Sequence, residues 1–94
     1  MEESDHIILV GGKPFMNYVT GVVMQFTTVR ADVVVVKARG KFISKAVDIA
    51  EVVSKRFLEE QVGVRNININ SQEFKNLEGK QVRVSTIEIE LFKK

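Results

Sequence analysis

Residues 32–48 read Asp-Val-Val-Val-Val-Lys-Ala-Arg-Gly-Lys-Phe-Ile-Ser-Lys-Ala-Val-Asp, and this stretch decides the fold. Its β-branched run, 33–36, shows no alternation, which is typical of a strand covered on both faces by helices or by a partner. Gly40 then marks a turn, and from Ile43 onward the apolar residues recur at helical spacing. The stretch therefore predicts a central strand, 32–38, that leads directly into a helix.

The same stretch is strongly cationic. Between Asp32 and Asp48 the chain has no carboxylate. Four basic residues surround the expected turn, and we call them the basic corner: Lys37, Arg39, Lys41 and Lys45. Charge at such a turn contributes nothing to a hydrophobic core, whereas clustered cations are what a phosphate-binding surface requires. The competing interpretation is a solvated loop without a ligand.

Hydrophobic spacing and turn residues predict the remaining elements. Residues 6–10 form a short apolar run closed by two glycines, as expected of a buried strand. Pro14 suits the first turn of a helix, and apolar spacing extends that helix to about residue 29. The second helix is expected to end near residue 61 or 63. Period-two patterns over 64–74 and 81–92, with a turn between them, predict a β-hairpin.

These elements predict one domain, 1–94, with the order βαβαββ. Right-handed crossovers place both helices on one face of a mixed four-stranded sheet, which makes a two-layer α/β sandwich of the α+β kind. The hairpin pattern changes phase between Val64 and Ile67 and again between Val84 and Ile87. Each arm is therefore expected to carry a bulge or to leave the core partway, so that its tip protrudes into solvent.

The second helix carries more apolar surface than one sheet contact needs. Its main stripe consists of Ile43, Ala46, Val47, Ala50, Val53 and Phe57. Ile49 and Val52 fall beside this stripe and widen it. The wide stripe predicts a second buried surface, such as a dimer interface.

Composition argues against several classes of protein. The chain has no cysteine, and therefore no disulfide, thiol nucleophile or thiolate metal site. Its amino terminus is acidic, with Glu2, Glu3 and Asp5, and no run reaches the roughly 20 apolar residues of a membrane span. His6 is the single histidine, and no Walker loop or metal-spaced acid pair is present. We expect a soluble binding protein with no catalytic activity, cofactor, metal or membrane partner.

Further cations lie outside the basic corner. Lys13 lies at the start of the first helix, where free N–H groups favour an anion; the alternative is an exposed lysine that the helix dipole slightly disfavours. Three cations lie in the distal hairpin: Lys75, Lys80 and Arg83. Glu73 and Glu78 dilute their charge, so a role in solubility competes with a role in nucleic-acid contact.

Six short motifs, which together span almost the whole chain, resemble archaeal Alba proteins. The motifs are Lys13-Pro14, Met16-Asn17-Tyr18-Val19, Lys37-Ala38-Arg39-Gly40-Lys41, Ile43-Ser44-Lys45-Ala46-Val47-Asp48, Arg56-Phe57-Leu58 and Ser85-Thr86-Ile87-Glu88-Ile89. The resemblance implies a homodimeric chromatin protein of the cytoplasmic nucleoid that coats and condenses double-stranded DNA and also binds RNA. It also implies a fold shared with the carboxy-terminal domain of a bacterial translation initiation factor, with hairpins that reach along the minor groove.

The resemblance also implies roles for individual residues. Phe57 would belong to a contact between dimers, although its place in the helical stripe also fits a core residue. Tyr18 fits either the core or an interface, or a platform on which RNA bases stack. Lys13 would be acetylated, with an acetyltransferase and a deacetylase as partners, but Gly12 precedes it where the family usually has a second lysine. Phe42 stands where the family usually has alanine, and either stacks on nucleic acid or packs on a neighbour.

Three functions therefore remain open. A chromatin-coating dimer predicts tight, sequence-tolerant binding to duplex DNA that weakens steeply with salt. A subunit of a ribonucleoprotein, or an RNA chaperone, predicts a preference for structured RNA. A pure interaction module predicts no salt-dependent binding to either. The basic corner argues against the third function, but the sequence does not separate DNA from RNA.

Overall fold

A computed structural model describes residues 6–94, which form a mixed four-stranded sheet with two helices on one face. The elements are β1 (Ile7–Leu9), α1 (Phe15–Thr27), β2 (Val33–Arg39), α2 (Ile43–Val52), β3 (Val62–Lys75) and β4 (Gln81–Lys93). The strands lie in the order β1-β2-β4-β3, with β1 parallel to β2 and the other two pairs antiparallel. The predicted fold class is confirmed. The acidic residues 2, 3 and 5 lie outside the described residues.

The hydrophobic core lies between the helices and one face of the sheet. Alternate residues of β2 are buried, namely Val34, Val36 and Ala38, and the register places Val34 beside Leu91 and Val36 beside Ile89. The intervening residues of β2 are half-buried or exposed. The helices of this chain thus cover only one face of β2, and we call the uncovered side of the sheet the open face.

Gly40 makes the turn from β2 into the second helix. Its φ of +58° lies in the left-handed region, which glycine adopts without the steric cost of a Cβ. A single 3₁₀ turn, Gly40–Phe42, follows, and α2 begins at Ile43. The predicted strand–turn–helix sequence is confirmed, and the basic corner lies on this junction.

The second helix ends earlier than predicted. After Val52 it widens into a π-helical turn, Val53–Phe57, and Leu58 leaves the helical conformation. The carbonyl of Leu58 accepts the N–H groups of residues 61 and 62, so a tight turn feeds directly into β3. The predicted end near residue 61 or 63 is therefore wrong, because the apolar spacing does not reveal this turn.

The buried side of α2 also differs from the predicted stripe. Ile49 is fully buried, whereas Val47 and Phe57 are 39% and 51% exposed. One extra residue in a π turn rotates later side chains by about 100°, which buries Leu58 in place of Phe57. Because α2 packs against α1 as well as the sheet, its wide apolar arc is used largely within the chain. Phe57 is thus not a core residue.

The hairpin has one bulge rather than two. The pairing of β3 with β4 shifts between Val64 and Asn66, where a bulge was predicted. In β4 the pairing continues unbroken through Val84 and Ile87. The apolar pattern of β4 changes phase there because the strand extends beyond the helices. Ile87 is buried on the helix side, whereas Val84 is half-buried on the open face. The second alternative, departure from the core, therefore applies to β4.

The turn at the tip of the hairpin is stabilised by the side chain of Asn76. The Asn76 carbonyl oxygen Oδ1 accepts the N–H groups of Glu78 and Lys80, at 2.9 and 3.0 Å. Gly79 supplies the positive φ, +82°, that the tight turn requires. The protruding arm contributes to a longest molecular dimension of 47 Å.

We predict that Gly40→Ala lowers the free energy of unfolding by about 1 to 2 kcal/mol, because an L-residue is strained at positive φ. The new Cβ would lie 3.6 Å from Val84 Cγ1, an ordinary contact, so strain rather than a clash causes the loss. Urea unfolding measures the effect. Gly12→Ala is the matched control, since its surroundings are open and its φ is not positive. Equal losses in both variants would contradict this account.

Candidate nucleic-acid interface

The loop after β1 lies beside the basic corner. Because β1 and β2 are parallel, their carboxyl ends meet at one edge of the sheet, with Leu9 paired to Lys37. The N–H of Val10 continues this pairing and donates to the Lys37 carbonyl at 2.8 Å. Residues 11–13, which we call the glycine loop, therefore lie next to the turn at Gly40. Two predicted cationic sites, far apart in sequence, share one edge.

Lys45 and Tyr18 hold the glycine loop in place. The Lys45 ammonium donates to the carbonyls of Gly11 and Lys13, at 2.8 and 2.5 Å. The Tyr18 phenol oxygen accepts the N–H groups of the same two residues, at 2.9 and 3.2 Å. Lys45 also lies 5.1 Å from the centre of the Tyr18 ring, a cation–π distance. Both residues were predicted to contact nucleic acid. In the structure they also position the backbone of Lys13.

The charge of Tyr18 responds to this arrangement. Desolvation raises the pKa of the phenol, but the N–H groups of Lys13 and Gly11 and the charge of Lys45 outweigh it. The pKa of Tyr18 therefore lies below its ordinary value of 10.0. The phenol still has its own proton to donate, because both contacts to the loop use the oxygen as acceptor.

The basic corner divides into engaged and exposed cations. Lys37 forms an ion pair with Glu88 across β2 and β4, with 3.2 Å between Nζ and Oε2. Arg39 makes a long contact of 3.4 Å to Gln72 Oε1. Within residues 6–94, no carboxylate lies at ion-pair distance from Arg39, Lys41 or Lys13, and all three are exposed. These three are therefore the accessible, uncompensated cations at this edge.

The hairpin cations divide in the same way. The Arg83 guanidinium donates twice to Glu73 Oε2, from Nε at 3.2 Å and from Nη2 at 2.7 Å. Lys75 and Lys80 are exposed near the tip, without an ion-pair partner in the part of the chain that the structure describes. The distal arm thus presents two uncompensated cations rather than three.

The structure does not bring Phe57 to this surface. Phe57 ends the helix that starts at the basic corner, so the length of that helix, roughly 20 Å, separates the two. Phe42, in contrast, lies within the corner, half-buried against the core. Its ring centre lies 5.5 Å from Lys41 Nζ and 5.8 Å from Lys45 Nζ.

An apolar surface on β3 was missed by the sequence interpretation. Its members, which we call the apolar edge, are Val64, Ile67 and Ile69, with exposed fractions of 41%, 59% and 79%. They pair with Leu91, Ile89 and Ile87, whose side chains are buried beneath the helices. The apolar edge therefore extends the core side of the sheet beyond the helices. The alternation of Ile with Asn in 66–70 was the signal in the sequence.

Other kinds of site find no support in the described part of the chain. Residues 6–94 contain no group of three His, Cys, Asp or Glu side chains arranged to hold a metal ion. None of the helices over those residues is long and apolar enough to cross a membrane. His6 has a structural contact, since its Nδ1 lies 3.1 Å from Gln25 Oε1.

Comparison with known proteins identifies the family. The Alba family model matches residues 6–71, more than half of the chain. The chain belongs to the Alba family. The DNA/RNA-binding protein Alba of Methanococcus maripaludis is 51% identical over 89 residues, covering 95% of this chain and 99% of that relative. The DNA/RNA-binding protein Alba of Nanoarchaeum equitans is 53% identical over 88 residues, covering 93% and 97%.

Solved structures support the same Alba assignment. Alba from Thermoplasma volcanium superposes with a TM-score of 0.83 at 43% identity, over 92% of this chain and 98% of that one. ALBA1 from Trypanosoma brucei superposes with a TM-score of 0.71 over 94% of this chain and 68% of that one. At 24% identity the trypanosome protein shows the shared fold alone. The predicted resemblance to Alba is confirmed.

We predict that the Tyr18 phenol ionises below pH 10.0 and that Lys45→Met raises its pKa. Removing the ammonium removes a positive charge that favours the phenolate, and it releases the carbonyls of the glycine loop. Tyr18 is the single tyrosine and tryptophan is absent, so near-ultraviolet absorbance against pH reports this group alone. Lys55→Met, on the exposed side of the second helix, is the control and should leave the titration unchanged. An unshifted Lys45→Met titration would contradict the arrangement.

Proposed function

We propose that this member of the Alba family binds nucleic acid, and that as a homodimer it coats and condenses double-stranded DNA without sequence preference. The names of two close relatives, each a DNA/RNA-binding protein, support the broader statement. The observation that carries the proposal is the convergence of Lys13, Arg39 and Lys41 at one edge of the sheet, exposed and set on a backbone that is held by hydrogen bonds. The chain acts as a binding protein and not as an enzyme.

Binding would act mainly through phosphates. Lys and Arg side chains neutralise phosphate oxygens and release condensed counterions, which gives affinity that is independent of base sequence. Lys13 is the best placed of these cations, because Lys45 and Tyr18 fix the backbone from which it extends. A fixed backbone lowers the entropy lost when the lysine binds. Lys45 adds positive potential while its ammonium stays hydrogen-bonded to neutral carbonyls, whereas the charge of Lys37 is locally neutralised by Glu88.

The hairpin would supply a second contact on DNA. Beyond the helices, residues 81–85 of β4 and their partners form a two-stranded arm roughly 17 Å long at about 3.4 Å per residue. Lys75 and Lys80 place two cations near its end. An arm of this length and charge fits contact with the DNA backbone along a groove. The ion pair with Glu73 makes Arg83 a weaker candidate than these lysines.

Self-association would use the apolar edge. Ile69 and Ile67 are 79% and 59% exposed, although they continue the same sheet face that the helices cover. Contiguous exposed apolar side chains of this kind mark interaction sites in soluble proteins. A second copy of the chain that covers this edge would place two basic corners and two arms in one assembly. The half-exposed Phe57 would then serve contacts between dimers along the DNA.

RNA and covalent modification belong to the same proposal. Phosphate contacts do not by themselves exclude RNA, and the names of the two relatives include both nucleic acids.

The exposed Lys13 is open to an acetyltransferase and a deacetylase, and acetylation would remove its charge. Localisation to the cytoplasmic nucleoid follows from DNA coating. The ribonucleoprotein alternative predicts a clear preference for structured RNA over duplex DNA of equal length.

We predict a steep loss of DNA affinity with salt. If about four cations per subunit contact phosphate, a dimer gives a log–log slope of roughly −7 on duplex DNA. Arg39→Ala and Lys41→Ala should each reduce the magnitude of this slope by about 1 per subunit. Fluorescence anisotropy against duplex DNA and double-stranded RNA at several salt concentrations measures both slope and preference.

Lys93→Ala is the matched control for these titrations. Lys93 lies at the end of β4 that is paired with Val62, at the opposite end of the sheet from Arg39, which pairs with Thr86. Its removal should leave the slope unchanged. Unchanged slopes in Arg39→Ala and Lys41→Ala would remove the basic corner from the binding surface. Weak, salt-independent binding by the unmodified protein would overturn the proposed function.

We predict that Ile69→Glu converts the dimer to a monomer. A carboxylate at this position would be buried unpaired in the proposed interface, which is strongly unfavourable. Light scattering coupled to size-exclusion chromatography measures the mass. Leu77→Glu is the control, because Leu77 is fully exposed at the hairpin tip, outside the apolar edge. A dimer that survives Ile69→Glu would show that this edge is not the interface.

A further inference from the structure

A groove on the open face adjoins the basic corner but is not explained by phosphate binding. It encloses about 500 Å³ and extends from the carboxyl ends of β1 and β2 across β4 to β3. Small-ligand sites commonly enclose roughly 300 to 1,000 Å³. A second depression of about 300 Å³, lined by Asn68 and Asn70, continues it and shares Thr86 and Glu88. The open face therefore carries a continuous trough that begins at the basic corner.

One end of the groove is apolar and aromatic. Phe42 lines it and also packs against the core, so the ring is fixed on one side and accessible on the other. Leu9, which is 71% exposed, forms the facing wall at the end of β1. A fixed aromatic ring beside an exposed aliphatic side chain suits a flat, apolar ligand.

The opposite end of the groove is polar and can form hydrogen bonds. The Gln72 carboxamide lies at this end, held loosely by Arg39 at 3.4 Å. Thr86, which pairs with Arg39, lines the groove and adds a hydroxyl group. Glu88 also lines the groove, but its carboxylate is paired with Lys37. In the adjoining depression Asn70 Oδ1 accepts the Ser71 N–H, so the amide group of Asn70 remains free to donate. Side chains that carry amide, carboxylate or hydroxyl groups form hydrogen bonds with the edges of bases.

Cations border the aromatic end. Arg39 lines the groove, and Lys41 lies 5.5 Å from the centre of the Phe42 ring. A nucleic-acid strand whose phosphates bind these two exposed cations would bring its bases over Phe42. A planar ring and a hydrogen-bonding edge, both supplied by the base, and a flanking phosphate are three features by which a nucleotide can be recognised. The groove presents a partner for each.

We propose that this groove binds an unpaired nucleobase of RNA, stacked on Phe42 and hydrogen-bonded at its edge by Gln72. This inference rests on the proposed function, since the flanking phosphates bind the same basic corner. A base within a duplex has both faces stacked and its pairing edge occupied, so it does not enter such a groove. Loops and bulges of RNA offer unstacked bases that proteins recognise through aromatic side chains and base edges. Phosphate contacts give affinity for any nucleic acid. Stacking on Phe42 thus adds a preference for RNA that has unpaired bases.

The test compares an RNA duplex that has a single-nucleotide bulge with a fully paired duplex of equal length. We expect the protein to bind the bulged RNA more tightly. Phe42→Ala should lower affinity for the bulged RNA about tenfold, since stacking of one base on an aromatic ring contributes this order of affinity. Affinity for the paired RNA should remain unchanged. Phe42→Trp should retain the preference.

Phe92→Ala is the matched control. Phe92 is also a half-buried aromatic residue of the open face, with Arg65 5.3 Å from its ring centre, but it lies outside the groove. It should leave both affinities unchanged. Because Phe42 contacts the core, Gln72→Ala provides a second variant that alters only an exposed side chain, and it should also weaken binding to the bulged RNA alone.

A crosslink locates the base directly. 5-Iodouridine at the bulge, irradiated in the complex with the unmodified protein, should attach to the peptide that contains Phe42. Equal binding of bulged and paired RNA, equal losses on both in Phe42→Ala, or crosslinks confined to residues outside the groove would each overturn the inference. In those cases salt-dependent binding to paired RNA would leave the proposed function standing. If the unmodified protein binds neither RNA, the inference fails, whereas salt-dependent binding to duplex DNA would still leave the proposed function standing.

Discussion

The parallel pairing of β1 with β2 is the constraint on which the proposed nucleic-acid surface depends. It brings the glycine loop and the turn at Gly40 to the same edge, although more than 20 residues separate them in the sequence. The strand pairing alone does not supply hydrogen-bond partners for the N–H and carbonyl groups of the glycine loop. Tyr18 and Lys45 supply those partners from two different helices, one accepting N–H groups and the other donating to carbonyls. The edge is therefore ordered before any ligand arrives.

The engagement of Lys45 also changes how the basic corner works. The four cations of the basic corner and the neighbouring Lys13 would repel one another if all were equally free, and such repulsion opposes a compact state. Two of them are compensated: Lys45 by carbonyl dipoles and Lys37 by the Glu88 carboxylate. An exposed ion pair such as the latter contributes only about 0 to 1 kcal/mol, so its main effect is local neutralisation. The net result is a smaller set of accessible cations on a fixed backbone, which suits phosphate binding better than a dense, flexible cluster.

Local patterns in the sequence predicted most of the fold, and the misses have identifiable physical causes. The unbroken valine run and Gly40 predicted the junction of β2 with α2, because a β-branched run and a glycine turn each leave a clear signature. The run also predicted cover on both faces, but within this chain only one face of β2 is covered. The π turn at 53–57 leaves no such signature, so the predicted end of the second helix was wrong. For the same reason the sequence left Phe57 open between an exposed contact residue and a core residue. The basic corner was predicted as a charge cluster, but which lysines are engaged depends on tertiary contacts such as that of Lys45 with Gly11. Spacing along one segment carries no information on those contacts.

The bulge in β3 explains how one strand serves two different surfaces. Side chains alternate between the faces of a sheet, so one extra residue exchanges the faces of everything that follows. The pairing shift at Arg65 sends Ile67 and Ile69 to the helix side, where they build the apolar edge, and sends the asparagines of 66–70 to the open face. Arg65 itself binds Glu90 on the neighbouring strand, with 2.9 Å between Nε and Oε2, which fixes the shift in place. Without the bulge the isoleucines would lie on the open face and the asparagines would lie on the helix side. The proposed dimer interface and the proposed base-binding groove therefore depend on the same inserted residue.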